Sequence, residues 1–352
     1  MRLGIAAQAG RYAGRLLASR MRGAPVLTMA SIYPTHRCNL RCTYCSSPLR
    51  QTPELTTDQW RQVIAELAEL GCRRVQILGG EPLLRRDLPE LLEAIRARGM
   101  SSVLTSNGVL VARRIEELRS LDTLVLSLDS PGAENDAVRG EGVYLAVEDA
   151  VLAAKRIGLS VKINAVLSAP TASRLDELLA FVERHDLSIT INAMRSGASD
   201  LWHDAAKIKA EDREIAATLE KLVAISRRNP RVLFAPATYR YAARWGEFGR
   251  DRLEAHEVAA DDPRIREGPQ CHAGRYYMSI DPDGTTYPCV STVGRLPGGN
   301  VVTDGVEAAW RRLHDHPCVA CYSPCMVEQN RLFSLSPATI VNFAVKHLGR
   351  FA

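Results

Sequence analysis

The sequence predicts an α/β fold with a parallel sheet, followed by a small cysteine-rich segment. Apolar strand-like runs alternate with helical patterns from about residue 28 to about residue 195, which is typical of repeated βα units. Six such units are too few for a full eight-stranded barrel. From Cys271 onward glycine, proline and cysteine dominate, and this composition indicates a second, metal-stabilised unit.

The apolar spacing places the elements in order. A helix is predicted over 57–70, with Thr56 or Thr57 as its cap and Gly71 as its stop. Other helices are predicted over 88–98, 211–228 and 337–348, while 229–270 receives no assignment. The run Asp281-Pro282-Asp283-Gly284 predicts a hairpin turn between short strands at 276–280 and 285–287. The six strands of the parallel sheet are predicted over 27–33, 74–78, 103–104, 124–128, 161–166 and 189–191.

Length and composition restrict the class of protein. The chain has 352 residues, a formal net charge of +5 and nine cysteines, enough for one large domain and a smaller one. No apolar run is long enough to span a bilayer, and the N-terminus has no compact apolar block typical of a signal peptide. Cysteines in such a chain are expected to stay reduced, which favours metal binding over disulfides. We therefore expect a cytoplasmic protein.

Positive charge is concentrated at the N-terminus. No acidic residue occurs from Met1 to Pro53, and residues 2–20 could form a basic helix with one apolar side. This helix has two interpretations: it lies on an anionic membrane surface, or it covers the bottom of a barrel. The first predicts peripheral contact with the inner face of the membrane. No nucleic-acid partner is expected, because no aromatic residues are interleaved with the charges to stack on bases.

Cys38, Cys42 and Cys45 form a C-x3-C-x2-C motif directly after the first predicted strand. Three thiolates this close on one loop can hold three irons of a cubane iron–sulfur cluster and leave the fourth iron open. An open coordination position is where a small molecule can bind. The alternative is half of a zinc site.

With Tyr44 before its last cysteine, this motif resembles the signature of the radical S-adenosylmethionine (radical SAM) enzymes. The resemblance implies a partial (β/α)6 TIM-like barrel with its active site at the carboxyl ends of the strands. It also implies a [4Fe-4S] cluster that binds SAM and cleaves it reductively to methionine and a 5′-deoxyadenosyl radical, which removes hydrogen from a substrate. The protein shelters that chemistry. A reductant such as flavodoxin or ferredoxin is the implied electron donor.

Residues at other predicted strand ends resemble the SAM-binding positions of that family. The match to the motif that contacts the SAM amino group is Gly79-Gly80-Glu81-Pro82. Its glycines would let the backbone approach a ligand closely, and Glu81 could accept a hydrogen bond from an ammonium. The resemblance assigns Arg139 to the SAM carboxylate. The resemblance also places five polar residues near the carboxylate or the ribose of SAM: Ser106, Asn107, Ser127, Asp129 and Asn164. Any one of them alone would be an ordinary polar residue at a strand end.

The later cysteines predict a second metal centre. Cys271, Gly284 and Cys289 resemble the opening of the SPASM/twitch extension of radical SAM enzymes, and Cys318-x2-Cys321 supplies two more thiolates. Four thiolates can close around one auxiliary [4Fe-4S] cluster, and a zinc site from the same four is the alternative. Too few cysteines are present for two auxiliary clusters held wholly by protein, so the shorter twitch form fits better.

Two cysteines remain outside these groups. Cys325 is surplus to a four-thiolate site: it could replace Cys318 as a ligand, take part in chemistry or be inert. Cys72 is expected to be a small buried residue at the end of a helix.

The main hypothesis is an enzyme that abstracts hydrogen from an unreactive carbon, leading to oxidation or to bond formation. A ribosomally made peptide, a small alcohol or sugar, and a lipid or isoprenoid are the candidate substrates. We expect no separate leader-peptide-binding domain, because too few residues precede the first strand. The rival hypothesis is a non-catalytic iron–sulfur or zinc scaffold, which would not need Glu81, Ser127, Asp129 or Asn164. No catalytic acid or base is identified.

These assignments divide the chain into five parts. They are a basic amphipathic helix (1–24), a partial barrel (25–210), a connecting helical region (211–270), an auxiliary-cluster domain (271–330) and a C-terminal amphipathic helix (331–352).

Overall fold

A computed structural model describes Gly14, Ser19, Met21 and residues 23–195, 207–259 and 261–348. The basic helix predicted over 1–24 lies almost entirely outside these residues, so both of its interpretations stay predictions. Within the described part of the chain, no helix is long and apolar enough to cross a membrane.

Six parallel strands form most of the main sheet, as the sequence predicts. Each observed strand lies within two residues of its predicted bounds, and neighbours in the chain are neighbours in the sheet. Parallel strands in chain order bring all their carboxyl ends to one edge, where active sites of such folds lie. The strands β1 to β6 are Met29–Ile32, Arg74–Ile77, Ser101–Ser106, Thr123–Ser127, Ser160–Leu167 and Ser188–Ala193.

Helices follow the strands and cover the outer face of the sheet. The first begins with a capping box: the Thr56 hydroxyl accepts from the Gln59 N–H at 3.2 Å, and the Gln59 side chain accepts from the Thr56 N–H at 2.9 Å. Thr56, not Thr57, is therefore the cap. Helices α1 to α12 are Thr57–Glu69, Leu88–Ala97, Ala133–Arg139, Val143–Arg156, Ala169–Ser173, Leu175–Arg184, Asp212–Arg228, Pro236–Ala243, Pro263–Arg266, Val306–Arg311, Pro324–Phe333 and Pro337–Phe343.

The cysteine-rich segment continues the same sheet, which the sequence did not predict. Strand β8 (Tyr277–Ile280) pairs in parallel with β1, and β9 (Thr286–Tyr287) folds back antiparallel onto β8 through the predicted turn. A second sheet joins β7 (Arg252–Glu254), in the stretch without a sequence assignment, to β10 (Cys318–Cys321). All four residues of β1 and all four of β8 are buried.

The two faces of the parallel sheet differ in polarity. Residues that point outward, such as Val75, Leu104 and Ile163, are fully buried in the apolar core beneath the helices. Many of the residues that alternate with them and point inward are polar and half-buried, among them Gln76, Thr105, Ser127, Asn164 and Asn192, although Val103, Val125 and Val166 share this face. We call the space on this inner side of the sheet the lumen.

Candidate active site

The Cys38–Cys45 loop follows β1 at the carboxyl edge of the sheet, and its three thiols are half-buried. Burial is the main cause that raises the pKa of Cys38 and of Cys45 to about 11, and the neighbouring thiols of the trio contribute in the same direction. The three sulfurs are thus close enough to repel one another when ionised. Binding to iron would remove their protons and relieve that repulsion.

Hydrogen-bond donors surround the Cys38 sulfur. The Leu40 N–H lies 3.4 Å from it, and the Asn107 side-chain amide lies 3.7 Å from it. Asn107 also donates to the Asn39 side chain at 2.9 Å. Donors of this kind stabilise an iron-bound thiolate, and the donor set fits a thiolate-ligated cluster.

The glycine pair contacts the protein's own backbone, and its predicted contact with SAM stays a prediction. A Cβ atom on Gly80 would overlap with the carbonyl oxygens of His36 and Arg37, and one on Gly79 would overlap with that of Thr35. The Gly80 N–H donates to the Thr35 carbonyl at 2.9 Å. These contacts fix the residues that lead into the cysteine loop.

Glu81 is fully buried and bonded within the protein. Its carboxylate accepts from the Asn107 N–H at 2.8 Å, from the Leu83 N–H at 3.1 Å and from the Ser106 hydroxyl at 3.1 Å. Burial raises its pKa to about 7 despite these donors. Pro82 starts a short 3-10 turn, Pro82–Leu84, directly after it. In this arrangement Glu81 joins the carboxyl ends of β2 and β3, and contact with SAM stays a prediction.

Asp129, Arg139 and Tyr44 form one buried network. Arg139 donates to both Asp129 oxygens, at 2.8 and 3.0 Å, and the Tyr44 hydroxyl donates to Asp129 at 3.1 Å. Asp129 also accepts from the Val166 N–H at 2.8 Å. Their polar groups therefore bind each other, and the network ties the aromatic residue of the cysteine motif to β4 and α3. The predicted roles of these residues toward SAM stay predictions.

A polar path leads from the barrel to the surplus cysteine. Ser127 lies at the end of β4, in register with Asn164 on β5. The Asn164 side-chain oxygen accepts from Asn192 at 2.8 Å and from Thr190 at 3.0 Å, and the Asn192 side-chain oxygen accepts from the Cys325 N–H at 2.9 Å. This path brings the amino end of α11 to the lumen.

Four thiols of the cysteine-rich segment, Cys271, Cys289, Cys318 and Cys321, lie close to one another. The Cys318 thiol donates to Cys271, which lowers the pKa of Cys271 and raises that of Cys318. Burial raises the pKa of Cys321, and Cys271 and Cys289 raise it further. Tyr277 is buried, and burial raises the pKa of its hydroxyl. The negative charge of each of the four thiols, when ionised, raises that pKa further.

Other side chains complete the surroundings of the four thiols. The Asn330 side-chain oxygen accepts from the Tyr277 hydroxyl at 3.1 Å and from the His272 N–H at 3.0 Å. The Cys325 thiol lies 3.2 Å from the Ser323 hydroxyl, and it also neighbours Cys321. Cys72 is fully buried in the apolar core, as predicted.

In the part of the chain that the structure covers, no three His, Cys, Asp or Glu side chains converge closely enough for a single metal ion. Each thiolate of a cubane binds a different iron, so ligands of a cluster need not converge in that way.

Comparisons with known proteins agree with this geometry. The family model of the radical SAM superfamily matches residues 32–182, and that of the SPASM iron–sulfur cluster-binding domain matches residues 271–322. A PqqA peptide cyclase of Streptomyces rochei is 36% identical over 304 residues, covering 82% of this chain and 76% of that protein. The mycofactocin maturase MftC of Mycolicibacterium smegmatis is 29% identical, covering 77% of this chain and 66% of that protein.

Solved structures share the fold at low identity. SuiB of Streptococcus suis bound to S-adenosylmethionine aligns with a TM-score of 0.62 at 21% identity, over 85% of this chain and 69% of that one. The protein anSMEcpe, with bound AdoMet and a peptide, aligns with a TM-score of 0.61 at 15% identity, over 90% of this chain and 99% of that one.

The chain belongs to the radical SAM superfamily and carries a SPASM domain. It is an enzyme of the radical SAM class. Its cofactors are a [4Fe-4S] cluster with SAM in the barrel and an iron–sulfur cluster in the SPASM domain.

Sequence reasoning missed several residues of the site. His36, Arg50, Asn192 and Asp281 lie beside the cysteine loop or at strand ends, and each bonds to an element distant in the chain. His36 and Arg50 flank the cysteine motif, which was a usable signal. Nothing local distinguishes Asn192 or Asp281, because their partners come together only through the sheet.

Replacing Gly80 by Ala should disrupt the approach to the cysteine loop. We expect Gly80→Ala to lower the free energy of unfolding by about 1–3 kcal/mol, because the added methyl group overlaps with backbone carbonyls that cannot move independently. Urea denaturation and iron content of the anaerobically reconstituted protein measure the effect. Gly249→Ala is the control, since nothing lies within 4 Å of its Cβ position. Equal free energies of unfolding and equal iron contents in the two variants would contradict a tight contact at Gly80.

Glu81 should make stability depend on pH. The folded carboxyl binds its proton more tightly than the unfolded one, because burial raises its pKa from 4.5 to about 7. Its contribution is therefore greatest at low pH and is lost as the pH rises through 7. Thermal unfolding between pH 5.5 and 8 should show the advantage of the wild type over Glu81→Gln shrinking with rising pH. If the difference in unfolding temperature between the two proteins did not change with pH, the pKa of Glu81 would not be raised by folding.

Proposed function

We propose that this chain is a radical SAM peptide maturase, which abstracts hydrogen from an unreactive C–H bond of a peptide substrate. One observation carries the proposal. The three half-buried thiols of the Cys38–Cys45 loop lie at the carboxyl edge of the parallel sheet, and Cys271, Cys289, Cys318 and Cys321 form a second group of thiols.

The residues of the first loop would hold the cluster and shield it. Cys38, Cys42 and Cys45 would bind three irons, with Leu40 and Asn107 donating to the Cys38 sulfur. The bound cluster and SAM supply the radical that removes hydrogen from the substrate. A flavodoxin or ferredoxin would deliver the electron. The protein's part is to hold the substrate carbon close to that radical and to keep water and competing groups away.

The lumen suits an amide-rich substrate. Its inward side chains Gln76, Thr105, Asn164 and Asn192 are uncharged and offer both hydrogen-bond donors and acceptors. Peptide groups need both. The names of the relatives support the same class: the curated proteins are a PqqA peptide cyclase and a mycofactocin maturase, and SuiB has been solved with its precursor peptide SuiA.

Cys271, Cys289, Cys318 and Cys321 would hold one auxiliary [4Fe-4S] cluster. The bond between Cys318 and Cys271 and the common neighbour Tyr277 support this set. With four protein ligands, that cluster would bind no substrate and would accept an electron from the substrate radical in an oxidation. Cys325 is not needed in this assignment.

Peptides encoded next to the gene and synthesised with deuterium at Cβ test the substrate class. With SAM and dithionite under anaerobic conditions, the reconstituted enzyme should form 5′-deoxyadenosine that carries deuterium, as mass spectrometry detects. A variant with Cys38, Cys42 and Cys45 all changed to Ala should form none. Absence of 5′-deoxyadenosine from the wild type would remove the enzymatic proposal, and unlabelled product alone would exclude hydrogen removal from Cβ of these peptides.

Two cysteine variants test the auxiliary ligands. The wild type should hold about eight irons per chain, whereas Cys318→Ser should hold fewer, because the auxiliary cluster would lose one of its four thiolates. Cys325→Ser is the matched control and should keep about eight. Iron and sulfide analysis with Mössbauer spectroscopy checks both. Iron loss in Cys325→Ser and not in Cys318→Ser would mean that Cys325 is the ligand and that Cys318 is not.

A further inference from the structure

Asp281 links the auxiliary domain to the loop that carries the first cysteine motif. It follows β8 directly and lies between Cys271 and Cys289 in the chain. One of its carboxylate oxygens accepts from Arg50 Nη2 at 3.0 Å, and the other lies 3.4 Å from His36 Nε2. His36 precedes the cysteine motif and Arg50 follows it, so one carboxylate contacts both ends of the loop.

Further contacts hold the same three segments together. His36 Nδ1 lies 3.2 Å from the Ser47 hydroxyl, which joins the two ends of the loop to each other. The Leu55 N–H donates to the Pro282 carbonyl at 2.7 Å, next to Asp281. The backbone of Asp281 is itself fixed, since its N–H donates to Thr285 at 2.8 Å within the hairpin.

Burial makes this contact sensitive to substitution. Asp281 is 1% exposed and His36 is 2% exposed, so water screens their interaction little. Loss of one partner would leave a charge buried without compensation. The carboxylate can keep its hydrogen bond to Arg50 and its 3.4 Å contact with His36 together only while the loop keeps its present place relative to β8.

We infer that Asp281 is a positioning residue: the auxiliary domain uses it to set the place of the SAM-cluster loop. The inference rests on the proposed function, in which Cys38, Cys42 and Cys45 hold that cluster. Asp281 would act through His36 and Arg50 and would touch neither SAM nor substrate. The auxiliary domain would thus shape the first site as well as carry its own cluster.

Asp281→Asn tests the inference, with Asp283→Asn as the matched control. Asp283 lies in the same turn, and its carboxylate accepts from the Thr285 N–H at 2.9 Å. Both variants are reconstituted as the full chain and reduced anaerobically. Iron content, the change that SAM causes in the EPR spectrum of the reduced protein, and the Kd for SAM are then measured.

We expect Asp281→Asn to keep about eight irons, as two cubanes require, and to show a smaller SAM-induced EPR change. We also expect it to bind SAM about 10- to 100-fold more weakly, by analogy with the loss of affinity or activity at metal sites that lose an outer-shell partner. Asp283→Asn should match the wild type. Arg50→Gln should weaken SAM binding in the same direction, and the double variant should be less than additive.

The outcomes separate the two proposals. A wild type without any SAM-induced EPR change would defeat the proposed function itself. A normal wild-type response, with Asp281→Asn equal to Asp283→Asn, would overturn the role of Asp281 alone. Additive effects of Asp281→Asn and Arg50→Gln would also overturn it, because a shared contact cannot be lost twice.

Discussion

The close contact between two backbone segments underlies the site. Gly79 and Gly80 lie against the carbonyls of residues 35–37, and a side chain on either glycine would prevent this approach. The strand β1 and the turn after β2 are therefore locked together at their carboxyl ends. The cysteine loop begins at Cys38, one residue beyond this contact, so the backbone position at the start of the loop is fixed.

Buried polar networks extend that fixation around the loop. Glu81 joins the ends of β2 and β3 through three donors, and Asp129 joins β4, β5 and the cysteine motif through Arg139, Val166 and Tyr44. In each network a carboxylate accepts several bonds, which offsets its loss of hydration. The carboxylates that resemble SAM-binding residues thus organise the strand ends, and their role toward SAM stays a prediction.

Continuity of the sheet brings the two groups of thiols together. Because β8 pairs with β1, the hairpin between Cys271 and Cys289 lies beside the strand that leads to Cys38. The cysteine-rich segment and the strand that leads to the first cysteine motif thus belong to one sheet.

Local pattern alone determined much of this protein. The six parallel strands, the first helices and the hairpin turn were predictable because apolar period, caps and turn residues are local properties. The spacing of Cys38, Cys42 and Cys45 likewise defined the first cluster motif, since ligands on one loop are close whatever the rest of the chain does. The same holds for Cys318 and Cys321.

Tertiary structure decided what depends on distant partners. That β8 joins the barrel sheet, that Gly80 lies against the carbonyls of His36 and Arg37, and that Asp129 pairs with Arg139 all follow from packing between segments far apart in the chain. Asp281 and Asn192 had no recognisable signal for the same reason. Sequence pattern reports which face of an element is apolar, but hydrogen-bond partners across the sheet are set only when the strands come into register.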